Sequence, residues 1–192
     1  MTKTKSVKKL VFLFTILGIG IVFSQKKQEI KSPAEGKSLV YIIREKEAFL
    51  LNFRLYDKDK YLGAIGCNQY IVYECDPGEH LFWAVSENRS FVKADLKADK
   101  AYVLIIEVKA GVFIAHVKLV PLDPRSNNSK KYKRKFYRAI KNDIPIVYTK
   151  ENVDVDKSVN IKQGLKRYEE IKDTKSVKQL SQDMYIENAD KP

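Results

Sequence analysis

Imidazole and thiol chemistry is nearly absent from this chain. It holds two histidines, His80 and His116, and two cysteines, Cys67 and Cys75, in 192 residues. A zinc centre needs three or four such ligands at close spacing, and these four have no paired spacing. Two cysteines also exclude a disulfide-built scaffold. No Gly-x-Ser-x-Gly elbow, phosphate-cradling glycine loop or His-Glu-x-x-His helix occurs. There is no internal repeat of solenoid or propeller period and no low-complexity tract. A membrane span needs 18 or more apolar residues, and the run from Leu10 to Phe23 has 14.

That short run has another reading. Lys3, Lys5, Lys8 and Lys9 precede it, and Val22 and Ser24 place small residues before Gln25. Basic start, apolar middle and small-residue end are the layout of a secretory signal. As a helix the run would reach about 21 Å, short of a hydrocarbon core of about 30 Å. The expectation is cleavage after Ser24, with an uncleaved amino-terminal anchor as the rival. The mature chain would then be extracytoplasmic, in the periplasm, on the outer surface or in the medium. No cysteine stands near the end of the run to carry a lipid.

The formal net charge of +12 is unevenly spread. Residues 25–124 carry 15 basic and 14 acidic side chains, and residues 150–192 carry nine of each. Residues 125–141 carry eight basic side chains and no acid. The basic character is therefore one segment: Arg125, Lys130, Lys131, Lys133, Arg134, Lys135, Arg138 and Lys141. Tyr132, Phe136 and Tyr137 are interleaved with it.

After a polar lead-in at 25–37, short apolar runs alternate with turn residues from 38 to 122. Leu39, Tyr41 and Ile43 alternate, as do Phe49, Leu51, Phe53 and Leu55. Asp57-Lys58-Asp59, Gly66-Cys67-Asn68, Pro77-Gly78, Glu87-Asn88, Asp99 and Gly111 punctuate the pattern. A two-residue period over short windows predicts about eight strands in a mainly β fold, an antiparallel β-sandwich. Its predicted core is Leu51, Phe53, Leu55, Val72, Leu81, Trp83, Leu104 and Ile106. Residues 123–192 read as the basic segment and a carboxy-terminal helical appendage. Helices are expected over 129–142, 157–172 with Asp156 as cap, and 175–186, with a short strand at Ile144 to Tyr148. Gly164 weakens the second helix by about 1 kcal/mol relative to alanine.

The stretch from Ser38 to Pro121 resembles bacterial domain-of-unknown-function family 2846. The resemblance rests on the strand Leu39-Val40-Tyr41-Ile42-Ile43-Arg44 and on Phe53-Arg54-Leu55-Tyr56. It rests further on Pro77-Gly78-Glu79-His80 ahead of Leu81-Phe82-Trp83-Ala84, and on Ala101-Tyr102-Val103-Leu104. It implies a small exported β-sandwich and brings no known reaction or ligand.

These readings lead to a non-enzymatic envelope or secreted module with a binding, scaffolding or accessory role and no cofactor. His80 reads as a turn or strand-edge residue, and His116 as outward-facing on its strand. Cys67 and Cys75 read as free thiols. Eight extended residues would hold them about 26 Å apart, against about 7 Å for a disulfide. Lys130, Lys131, Lys133, Arg134, Lys135 and Arg138 are the candidate binding residues, for an anionic membrane surface, an acidic polysaccharide or an envelope protein. Nucleic acid would use the same charges, and export argues against it. The rivals are a small envelope hydrolase acting on carbohydrate or lipid, and a membrane-surface protein that uses residues 125–141.

Overall fold

The computed structural model describes residues 30–46, 51–110, 115–148 and 157–187. The leader, Phe49, the Gly111 turn and the Asp156 cap lie outside the described residues. Among the described residues, ten strands and two helices follow in chain order. They are β1 (Ser38–Arg44), β2 (Phe53–Asp57), β3 (Lys60–Ile65), β4 (Gln69–Cys75), β5 (Gly78–Val85) and β6 (Arg89–Leu96). Then come β7 (Ala101–Ala110), β8 (Ala115–Pro121), α1 (Ser129–Asn142), β9 (Ile144–Val147), α2 (Ser158–Ile171) and β10 (Lys178–Leu180). The eight strands expected before residue 122 are present.

Two five-stranded sheets stack as a sandwich, with orders β8-β7-β1-β4-β9 and β10-β6-β5-β2-β3. The hairpins are antiparallel, with Val85 opposite Arg89 and Asp57 opposite Lys60. Three pairings are parallel, which corrects the all-antiparallel expectation: β1 with β7, β4 with β9 and β6 with β10. Parallel neighbours need a crossover rather than a tight turn. Helix α1 makes one, taking the chain from β8 at one edge of the first sheet to β9 at the other.

Alternation along each strand splits its apolar side chains between two buried layers. Val40, Ile42, Phe53, Leu55, Phe82, Leu104 and Ile106 fill the space between the sheets. Tyr41, Ile43, Tyr70, Val72 and Val103 point the other way and are covered by Phe136, Ala139 and Ile140 of α1. On the far side of the second sheet, Tyr56, Leu81, Trp83 and Phe91 lie under Ile161, Leu165 and Tyr168 of α2. The molecule is thus helix, sheet, sheet, helix, and all seven residues of β1 are buried.

Seven of the eight predicted core residues are buried, and they are divided between the layers. Phe53, Leu55, Leu104 and Ile106 do lie between the sheets. Val72, Leu81 and Trp83 are buried on the outer faces, and Leu51, only partly buried, is the one departure from the expectation. A period of two shows which residues share a face, and both faces here are apolar.

The helix expected over 175–186 is also corrected. The chain forms β10 there, and Ile186 bridges to Ala101. Its apolar residues are dealt to three layers: Val177 under α2, Leu180 between the sheets and Ile186 on the α1 side. The free edge of β6 offers unpaired backbone groups, and an extended segment satisfies them where a helix would not.

Candidate functional site

The basic segment forms α1, and the helix sorts its cations. Phe136 meets Tyr41 edge-on, with ring centroids 5.3 Å apart at 72°. Tyr132 donates its hydroxyl to Glu107 Oε1 at 2.8 Å. These contacts fix which face looks outward. Lys130, Arg134, Arg138 and Lys141 recur at three- or four-residue spacing, so they share that outward face, with Lys131 about 100° beside them. All five are exposed, and none forms an ion pair with a described residue.

Of the six sequence-predicted binding residues, the fold gathers four in this stripe: Lys130, Lys131, Arg134 and Arg138. Lys135 turns inward and pairs with Glu45, and Lys133 is half-buried with a contact of its own. Burial, and secondarily the Arg138 charge, lowers the Lys135 pKa. Arg125 is neutralised by Asp123 at 3.3 Å and Asp183 at 2.6 Å. Lys141 joins the stripe in their place.

A second polar cluster lies where the β2–β3 turn meets the start of β5. His80 Nδ1 lies 2.7 Å from Asp57 Oδ2, and His80 Nε2 lies 2.8 Å from the Asp76 carbonyl oxygen. Both neighbours are acceptors, so both ring nitrogens carry protons and the ring is an imidazolium. Burial opposes that charge. The bonds to Asp57 and the contact with Cys75 outweigh it, raising the pKa from 6.5 to about 10. Asp57, buried, also accepts from the Tyr73 hydroxyl at 3.1 Å. Lys60 Nζ donates in turn to the Tyr73 oxygen at 3.1 Å. Burial and the Asp57 charge push the Tyr73 phenol far up.

The chemistry open to this cluster is narrow. A general base needs an unprotonated nitrogen facing a nucleophile, and here each nitrogen is spent on an acceptor. The arrangement instead ties the β2–β3 turn to β5. Lys58 N–H donates to the Leu81 carbonyl at 2.8 Å, and Trp83 Nε1 donates to the Lys58 carbonyl at 2.9 Å. His80 stands out in the sequence, and its partners do not. Asp57 stands 23 positions away in a segment that carries only a turn signal.

His116 is exposed, and Cys67 and Cys75 are free thiols. Among the described residues no group of three or more histidine, cysteine, aspartate or glutamate side chains gathers to hold a metal ion. No described helix is long and apolar enough to cross a membrane. In comparisons with known proteins, no family model, no curated protein and no solved structure matches this chain.

Proposed function

We propose that this chain is an exported, non-enzymatic β-sandwich module that docks on an anionic envelope surface through the outward face of α1. The observation that carries the reading is the stripe Lys130, Lys131, Arg134, Arg138 and Lys141, exposed and without ion-pair partners among the described residues. Burial accounts for the Lys135–Glu45 pair, and the five outer charges stay available to an anionic surface. Each cation close to an anionic bilayer contributes about 1 kcal/mol, and salt screens it within about 10 Å. Such attachment is peripheral and reversible.

Export is supported by the leader-like first 24 residues. Kinship with family 2846 is part of the same proposal. It rests on the Pro77-Gly78-Glu79-His80 turn, where Gly78 holds a φ of +105° ahead of a buried apolar strand. The non-enzymatic reading draws support from the doubly engaged His80.

Cosedimentation with vesicles tests the docking. Vesicles rich in anionic phospholipid are expected to retain the protein at low salt and release it at moderate salt. Arg134→Glu with Arg138→Glu should abolish retention. Equal recovery on neutral and anionic vesicles would remove the electrostatic reading. Retention by an acidic polysaccharide alone would move the partner from lipid to glycan. Amino-terminal sequencing of the protein from fractionated host cells tests export, with Gln25 expected as the first residue.

A further inference from the structure

A groove of about 450 Å³ opens between the start of β6, strand β8 and the last turns of α2. Its volume falls in the range of small-molecule sites. Three cations from three different elements line it: Arg89 from β6, Lys118 from β8 and Arg167 from α2. No carboxylate is among the described residues that line it. Ser90 and Ser176 add hydroxyls, and the half-buried Ile171 forms its apolar wall.

We propose that this groove binds the phosphate or sulfate group of a small ester, with Arg89 at its centre. The Arg89 side chain is held in place by one hydrogen bond, Nη2 to Gln163 Oε1 at 3.1 Å. Its Nε is buried and has no hydrogen-bond partner among the described residues. Folding has therefore taken one N–H of a cationic guanidinium out of water, and no ion pair with a described carboxylate offsets it. A planar fork of N–H donors matches a tetrahedral oxyanion.

The other two cations are weakly or outwardly engaged. Lys118 Nζ lies 3.9 Å from Glu107, and Arg167 Nη1 meets Glu170 at 2.9 Å on an exposed helix turn. Both side chains are roughly half exposed and can swing to a ligand. The floor is rigid. Asn88 donates to the Val117 carbonyl at 2.9 Å and accepts from Val117 N–H at 2.7 Å, and Ser90 Oγ accepts from Leu119 N–H at 2.9 Å. These bonds tie β6 to β8 across the two sheets, so the cations from the two strands keep their spacing. The carbonyl of Ile171 at the end of α2, which would repel an anion, is bonded by Thr174.

Calorimetric titration of the purified chain with inorganic phosphate and with sulfate, at matched ionic strength in chloride, tests the site. Saturable binding is expected for both oxyanions and none for acetate. Lys118→Gln and Arg167→Gln, each on the surface and so harmless to folding, should weaken binding about tenfold. Arg89→Lys keeps the charge and loses the fork, and should weaken it more. Lys130→Gln with Arg134→Gln, on the α1 stripe, should leave it unchanged. Binding that survives all three groove substitutions, or that falls only with the stripe substitutions, would overturn the site. Glucose 6-phosphate and glucose 6-sulfate then distinguish the ester. Tighter binding of either than of its free ion supports the apolar wall as part of the site, and weaker binding of both overturns the ester and leaves a free-ion site.

Discussion

At the scale of single residues, His80 sets a measurable pH response. Its folded-state pKa is raised from 6.5 to about 10. Below about pH 6.5 the ring is charged in both folded and unfolded chains, and its bond to Asp57 contributes fully. As pH climbs toward 10, the unfolded chain gives up the proton while the folded one still holds it. The contribution therefore shrinks across that window and is gone above it. The stability advantage of the native protein over His80→Gln should accordingly be largest near pH 6 and fade by pH 10.5, read as the difference in melting temperature. Parallel curves for the two proteins would show that the pair does not titrate as described. The sequence held part of this. The Pro77-Gly78 turn places His80 at the head of a strand, but Asp57 reaches it from β2, and Tyr73 reaches Asp57 from β4 in the other sheet.

Among the elements, α2 shows how packing overrides propensity. Gly164 looks like a defect in a helix, costing about 1 kcal/mol against alanine. It is the buried residue of α2, seated on the Trp83 indole. A Cβ there would come within 2.4 Å of the ring. The ring cannot retreat. It is stacked on Tyr56 at 3.9 Å, wholly buried, and bonded through Nε1 to Lys58. Overpacking of this kind costs about 1–3 kcal/mol, more than the gain in propensity. Gly164→Ala should destabilise the protein by about 1 kcal/mol or more in urea denaturation. An increase in the midpoint would mean that α2 does not sit on Trp83. The same logic explains α1, where the apolar positions 132, 136 and 140 were legible as one face. The partner that holds Lys135 away from the outward stripe was not, because Glu45 reaches it only in the folded chain.

At the scale of the whole molecule, four layers give the strands unequal protection. β1 and β7 are central in the first sheet and lie between α1 and the opposite sheet. β9 and β3 are edge strands with several exposed residues, and Ile144 is 64% exposed. Local opening is governed by burial and by solvent access to backbone bonds. Amide hydrogen exchange should therefore be slowest in β1 and β7, near the global unfolding limit, and faster in β9 and β3. Protection of β9 equal to that of β1 would contradict the layering.

Local chemistry alone determined that residues 38–122 form eight short strands, that 129–142 and most of 157–172 are helical, and that one segment is basic. Side-chain alternation, turn residues and charge runs act over a few positions, so a linear reading captures them. Tertiary structure decided which apolar face became the inner one, that three strand pairings are parallel, and that residues 178–180 extend along β6 rather than coil. It alone brought Arg89, Lys118 and Arg167 to one groove and Asp57 to His80. Those outcomes depend on which surfaces compete for burial and for backbone partners once the sheets have formed, and no local window of sequence contains that competition.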